Sequence, residues 1–367
     1  MGFEYLTNVP LQQAQKEYLD MLIERGFGPV SERIPVRESF GRVTACPVYA
    51  AICAPHYAAS AMDGVAVNAR DTFGATETTP VVLQPEQYIV LDTGDPIPEG
   101  MDAVIIANTP FPAEAVTENP ALKYIDVAFT GVDHVPMEAC RARGVLVSNA
   151  ANYSNQSVAE LTVGMAIALL RRLPDCDAAV RAHQGSAGLI GREIAERTVG
   201  VVGLGRIGLR VARLMLAFGA RVVAYDPKPM EQARQLGVQY ASLREVLESS
   251  DIVTLHAPAC AQTHKMIGEA ELDQMKPGAL FINCARGALV DSQALCDALR
   301  SGHLAGAAVD VYDREPPLDD SEPLLHAPNI ILTPHIAFAS EESMLRRARI
   351  VFQNLYAWLD GEPINLC

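Results

Sequence analysis

Nothing in the 367 residues has the length of apolar run that a bilayer crossing needs. The opening stretch, MGFEYLTNVPLQQAQKEYLDML, has neither a basic leading segment nor a continuous apolar one, so no export signal and no membrane partner are expected. Basic runs are missing too. With 29 Lys and Arg against 44 Asp and Glu, the formal charge is -15, and no basic face is left for a nucleic acid. The eight cysteines, at 46, 53, 140, 176, 260, 284, 296 and 367, form no CxxC pair. No metal site and no redox dithiol are therefore expected; the cysteines read as reduced, packed thiols and the location as cytoplasmic. What the chain does have is apolar residues, at 49%, enough to bury cores in two or three domains.

Residues 11–26 carry Ala14, Tyr18, Met21 and Leu22 at helical spacing and stop at Gly26, which predicts an amphipathic helix. From about 31 to 100 the texture changes to short β-prone pieces (43–45, 65–67, 81–83, 88–91) punctuated by Gly and Pro. Beyond residue 101, apolar strands alternate with helices: DAVIIANT, YIDVAF and VLVSN, then a long helix over 155–172. After a polar connector come TVGVVGLGRIG, RVVAYD, DIVTLH, ALFINCA, GAAVDVY and NIILTPH. Six apolar strands with helices between them predict a doubly wound parallel sheet, the α/β dinucleotide-binding architecture. The stretch Glu341–Leu359 closes the chain as one amphipathic helix.

Gly203, Gly205 and Gly208 form a G-x-G-x-x-G after the β-rich stretch 198–202 and open a helix whose apolar face includes Val211, Leu214 and Met215. The motif alone is weak, but here strand and helix flank it, so its helix N-terminus is predicted to face a pyrophosphate. RVVAYD ends in Asp226, eighteen residues after Gly208. A carboxylate there accepts from ribose hydroxyls and repels a 2′-phosphate, which favours NAD over NADP. Lys228, two residues on, tolerates some NADP.

Hydride transfer to a 2-keto acid needs a cation for the carboxylate, a proton donor for the developing alkoxide and a group that tunes the donor. Arg286 in FINCARGALVD, Glu315 in AGAAVDVYDREPP and His335 in NIILTPHIA supply one of each, all after apolar strands. Each also has a plainer explanation: Arg286 pairing with Asp291, Glu315 as one solvated acid among several, His335 as a satisfied loop histidine. Their joint position behind a dinucleotide motif favours the catalytic set.

GLGRIG, INCARGALVD, SGHLAGAAVDVYDREPP and ILTPHIA resemble the signatures of the D-isomer-specific 2-hydroxyacid dehydrogenase family, over about residues 102–367. The resemblance implies His335 as acid/base, Glu315 as the carboxylate that hydrogen-bonds and tunes it, and Arg286 as the clamp on substrate carboxylate and keto oxygen. It also implies that Arg206 and Ile207 amides meet the pyrophosphate, that His256, Ala257 and Pro258 lie by the adenosine end, and that Cys284 and Ala285 lie near the nicotinamide ribose. Asp310 would hold the carboxamide, and Thr109 would contact the cofactor. Ala107, Asn108 and Gly131 would contact substrate through the loops after two strands of a smaller domain. The first of these loops lacks the basic residue that phosphoglycerate dehydrogenases tend to carry, so an unphosphorylated substrate such as hydroxypyruvate, glyoxylate or pyruvate is expected. A homodimer is implied.

The βα units that open that family's small flavodoxin-like domain are missing. Instead GRV at 41–43, the SAMDG loop with Asp63 and TGDPIPEG with Asp95 resemble the molybdopterin molybdenumtransferase (molybdenum insertase) family, over about residues 6–105, and the change of family falls within GMDAVII. Such a join is that of a chimera. The expected organisation is a β-rich insertase-like segment at 1–100, a partial substrate domain at 101–150 and 338–367, and an NAD-binding Rossmann domain at 151–337. Two other functions stay open: an NAD-binding module without turnover, and a molybdenum cofactor biosynthesis factor acting through residues 1–105.

Overall fold

Strands buried on both faces read as unbroken apolar runs, and between residues 198 and 332 such runs become one parallel sheet. The structure is a computed structural model that describes residues 64–67, 88–91, 102–107, 111–315 and 317–367, all within the unit Ala54–Cys367. The helix expected over 11–26, the pieces 43–45 and 81–83, and Asp63 and Asp95 lie outside the described residues.

The large sheet contains β6 (Thr198–Val202), β7 (Arg221–Tyr225), β8 (Gln239–Tyr240), β9 (Ile252–Leu255), β10 (Ala279–Asn283), β11 (Leu304–Val309) and β12 (Ile330–Leu332). Their order is β12-β11-β10-β9-β6-β7-β8, with every pairing parallel. The chain therefore runs outward from β6 in one direction and, from β9, in the other. Alternation sorts the side chains. Val199, Val201, Leu280, Ile282 and Ala308 face a layer containing α3 (Asn155–Leu170) and α5 (Arg206–Ala217). Val202, Val253, Leu255, Phe281 and Val309 face α7 (Leu243–Ser249), α8 (Glu269–Asp273) and α9 (Ser292–Arg300). Each such side chain, Phe281 for example, contributes about 1.5 to 3 kcal/mol by leaving water.

Two elements were not read from the sequence. The polar connector holds α4 (Leu173–Arg181), and β8 is a two-residue edge strand, too short to carry a periodic pattern. The short α6 (Glu231–Gln235) precedes β8.

A second sheet is smaller. In it β3 (Ala103–Ile106), β4 (Tyr124–Val127) and β5 (Leu146–Asn149) pair in parallel in chain order, with α1 (Ala113–Thr117) and α2 (Met137–Arg143) between them. Both edges have company. The C-terminal tail runs antiparallel to β5, where Asn149 N donates to Asn365 O (3.1 Å) and Cys367 N to Val147 O (2.9 Å). On the other side β1 (Gly64–Val67), paired antiparallel with β2 (Tyr88–Leu91), lies beside β3 without joining its ladder. Covering an edge in this way removes a template for aggregation.

The closing helix α10 (Glu341–Leu359) packs on β4 and β5. Trp358 stacks on Tyr124 with ring centroids 4.7 Å apart, and Asn354 Nδ2 donates to Asp126 Oδ1 (3.0 Å) and Asn149 O (3.0 Å). Among the described residues no helix is long and apolar enough to cross a membrane.

Asp126 Oδ2 is buried without a hydrogen-bond partner, and burial pushes this carboxyl up to about 7. The folded state then holds a proton that the unfolded chain releases near pH 4, so stability falls between about pH 4 and pH 7 and levels off above. Asp126→Asn keeps the acceptor for Asn354 and removes the charge. Thermal melts should show a gain in Tm that is larger at pH 8 than at pH 5; equal gains at both would mean an ordinary carboxyl.

Candidate active site

The residues singled out in the sequence collect at the carboxyl ends of the large sheet: Gly203 after β6, Asp226 after β7, His256 after β9, Arg286 after β10, Asp310 after β11 and His335 after β12. The chain reverses its direction of travel between β6 and β9, and at that switch point the two loops touch. Gly203 has φ +89°, and a Cβ there would lie 2.6 Å from Ala257 N. A Cβ on Gly208 would overlap the Gly203 carbonyl, so helix and loop meet backbone to backbone. Beside Gly205, by contrast, the space is open, and no side chain caps the first turn of α5. An uncapped helix start above a glycine cradle fits an anionic pyrophosphate. Asp226 accepts from Leu204 N and Lys228 N, both at 2.7 Å. A carboxylate has about four acceptor positions, so two remain for ribose hydroxyls.

One cleft of about 540 Å³ joins this groove to the small sheet. Ile207, His256, Ala257, Pro258, Cys284 and Ala285 line its dinucleotide side. Burial drives His256 down to about 3, so its ring is neutral, with Nε2 3.0 Å from Thr254 Oγ1. Burial raises the Cys284 thiol to about 12 and its Sγ rests 3.5 Å from Met165 Sδ, which excludes it as a nucleophile.

Arg286, Glu315 and His335 line the same cleft. Asn283 shapes the arginine's turn, its Nδ2 donating to Arg286 O (2.9 Å) and its Oδ1 accepting from Ala285 N (3.0 Å). Arg286 reaches across to the small sheet, where Nε meets Asp133 Oδ2 at 3.0 Å. A Cβ on Gly131 would overlap the guanidinium. Asp291 is not its partner; that carboxylate pairs with Lys265 (3.0 Å) and caps α9.

His335 stands at φ +54°, with Nδ1 2.8 Å from Glu315 Oε2. The contact is close, although Nδ1 does not meet the geometry of a hydrogen bond. Beneath it, Asp310 is fully buried and accepts from Thr333 Oγ1 (2.5 Å), Ile336 N (2.9 Å) and Ala337 N (2.8 Å). Three of about four acceptor positions thus serve the histidine's own segment.

Ala107 is buried at the end of β3, while Asn108 and Thr109 lie outside the described residues. Several cleft residues were not singled out from the sequence. His134 sits on the small-sheet wall, next to Asp133 of the glycine loop. Phe129, Tyr153 and Phe338 form an edge-to-face cluster that reaches the His335 ring, at 5.7 Å from Phe338. Arg347 lies 4.9 Å over the Phe129 ring. Three aromatics placed directly after strand ends and at the foot of the last helix were the available signal.

Residues 163–337 match the profile of the D-isomer specific 2-hydroxyacid dehydrogenase NAD binding domain. A glyoxylate reductase from Korarchaeum cryptofilum is 38% identical over 274 residues, 72% of this chain and 82% of that protein. The chain belongs to the D-isomer-specific 2-hydroxyacid dehydrogenase family. A D-3-phosphoglycerate dehydrogenase from Archaeoglobus fulgidus is 36% identical over 73% of the chain, which spans only 51% of that relative's length. The crystal structure of a D-lactate dehydrogenase from Aquifex aeolicus, complexed with NAD and lactic acid, superposes with a TM-score of 0.68 and 33% identity, covering 72% of this chain and 84% of that one. Residues 9–150 match the MoeA N-terminal region (domain I and II), beyond the expected boundary near 105 and through β3, β4 and β5.

In this family member the glycine cradle can be tested directly. Gly203→Ala forces a side chain into both a left-handed backbone and the β9 loop, and should weaken NADH binding at least tenfold, on the order of 1.4 kcal/mol. Titration of NADH fluorescence against the purified variant measures it; unchanged affinity would exclude the cradle as the binding site.

Proposed function

We propose that the chain is an NAD-dependent oxidoreductase that reduces a small 2-keto acid to the D-2-hydroxy acid, and runs the reverse reaction. The observation that carries this is the convergence of Arg286 and the His335–Glu315 pair on one cleft that continues into an uncapped-helix glycine groove. We take residues 151–337 as the dinucleotide domain, 101–150 with 338–367 as the partial substrate domain, and 1–100 as the insertase-like segment.

NADH, when bound, supplies the hydride that becomes the new C–H bond at the keto carbon. Arg286 holds the substrate carboxylate and draws electron density toward the keto oxygen. His335, with Nδ1 against Glu315, gives its Nε2 proton to that oxygen, and Glu315 stabilises the cationic ring before the transfer. Asp310 keeps the histidine's segment in place. Aromatic walls from Phe129, Tyr153 and Phe338 exclude water from the developing alkoxide. Asp226 selects NAD through its remaining acceptor positions.

A second reading, NAD binding without turnover, is favoured by the small sheet, which has three parallel strands among the described residues. NADH oxidation followed by absorbance with hydroxypyruvate, glyoxylate and pyruvate separates the two. His335→Ala is expected to lower kcat/KM by about 10²- to 10⁴-fold while NADH still binds. Turnover surviving in that variant would overturn the assignment, and NADH binding with no turnover in the unaltered protein would favour the second reading.

We further propose a homodimer in a reducing, cytoplasmic setting. Six free cysteines among the described residues support the setting. Leu173, Val180 and Ile190 support the dimer: on the connector between α3 and β6 they are 49%, 73% and 90% exposed, an apolar surface of the kind that subunits cover. Light scattering should give twice the chain mass, and Ile190→Glu should shift it toward monomer; a monomeric unaltered chain would discard the dimer.

A further inference from the structure

We infer, on the 2-keto acid reductase reading above, that Asp133 is a positioning residue for Arg286. Its carboxylate takes the Nε side of the guanidinium, so that the outer N–H groups of Nη1 and Nη2 are the pair left to receive the substrate carboxylate.

A guanidinium carries its N–H groups in one rigid plane, and the edge it presents depends on which of them are already engaged. Arg286 Nε donates to Asp133 Oδ2 at 3.0 Å, and Nη1 donates to Ala285 O at 2.7 Å. Nη2 meets no acceptor among the described residues. It lies against Gly131, where an added Cβ would overlap Nη2 and stand 3.2 Å from Cζ. Space, and not backbone torsion, is what calls for glycine there. One N–H of Nη1 and both of Nη2 stay free, and the outer two are parallel, the arrangement that grips a carboxylate through both its oxygens.

The loop that carries Asp133 is itself held. Thr130 O accepts from Asn149 Nδ2 at 2.7 Å, His134 O accepts from Phe111 N at 3.0 Å, and Val135 N donates to Val132 O at 3.0 Å. A short side chain on a pinned loop thus fixes the far end of a long one, which would otherwise sample many rotamers. The pair counts for little as a stabilising contact, because Arg286 and Asp133 are 35% and 51% exposed. Asp133 and Glu315 are the two carboxylates among the described residues lining the cleft, and each meets one of the working groups: Asp133 meets Arg286, and Glu315 meets His335. Arg347, against the same wall, lies 4.9 Å over the Phe129 ring and 6.0 Å over the Tyr153 ring, and forms no ion pair with either carboxylate.

A negative charge at this place, taken alone, repels an anionic keto acid and competes with it for the guanidinium. Competition and positioning therefore predict opposite effects of removing it. The experiment is steady-state reduction of glyoxylate and hydroxypyruvate by NADH on the full chain, unaltered and as Asp133→Ala and Asp133→Asn, with NADH affinity and melting temperature measured for each. Asp133→Ala should lower kcat/KM for the keto acid by about tenfold or more, through kcat and KM together, while NADH affinity changes less than about threefold. Asp133→Asn, which keeps an acceptor for Nε, should recover most of the loss. A second reading needs no turnover: binding of oxamate, an unreactive pyruvate analogue, to the NADH complex. Asp133→Ala should weaken it by about tenfold in the unaltered background and by less than about threefold in Arg286→Lys, which has no Nε to hold. A kcat/KM that holds or rises in Asp133→Ala would overturn the inference and make the carboxylate a competitor. Equal losses of oxamate affinity in both backgrounds would also overturn it, since a residue that only supports the loop is indifferent to what stands at 286. No turnover by the unaltered chain would overturn the reductase reading and this inference with it.

Discussion

The buried carboxylate of Asp310 accepts from three donors of a single short segment, and that segment carries His335. A non-glycine residue at φ +54° costs on the order of 1 to 3 kcal/mol. Hydrogen bonds to a charged group contribute about 1.5 to 3 kcal/mol each, so three of them outweigh that strain and hold the backbone in the one conformation that aims the ring at the cleft. Glu315, which meets the ring's Nδ1, follows the same strand by a few residues. Strand β11 therefore determines His335 twice, once through its backbone and once through its side chain. Arg286, on the neighbouring strand β10, inherits its turn from Asn283.

The large sheet was legible in the sequence because a parallel strand covered on both faces must be apolar throughout, and six such runs alternate with helical stretches. The binding groove was legible for a different reason: close approach of backbones admits only glycine, so Gly203 and Gly208 record a contact made in three dimensions. What stayed hidden depends on long separations or on very short elements. Asp291 is the nearest carboxylate to Arg286 along the chain, yet the partner is Asp133, 153 residues away, because the cleft folds the small sheet over the arginine. Helix α4 and strand β8 were missed since nine residues that open with a proline at the second position and a two-residue strand leave no periodicity to read. Asp310 was read as a contact for the carboxamide; that its oxygens also organise the histidine segment could not be seen without knowing that β11 and β12 are neighbours.

The two sides of the cleft are built on different terms. The dinucleotide side rests on a deep apolar double layer, where every strand has neighbours. The small-sheet side rests, among the described residues, on three strands, and its central strand buries Tyr124 and Asp126, whose hydroxyl and Oδ2 have no partners. Polar groups left unsatisfied in a core cost free energy, so the small sheet depends more than the large one on what α10 and the C-terminal tail contribute.

That dependence has a kinetic side. Asp126 and Asn354 are in contact although 228 residues separate them, and between them lies the whole dinucleotide sheet. Closing a loop of that length costs entropy, so the small sheet cannot be complete before the closing helix has docked. On the ribosome, strands β3, β4 and β5 emerge early and must wait for Trp358 and residues 365–367 to be synthesised before their core is closed. A nascent chain thus carries an unfinished sheet until residues 358–367 have emerged, and this is the stage at which a chaperone would have most to protect.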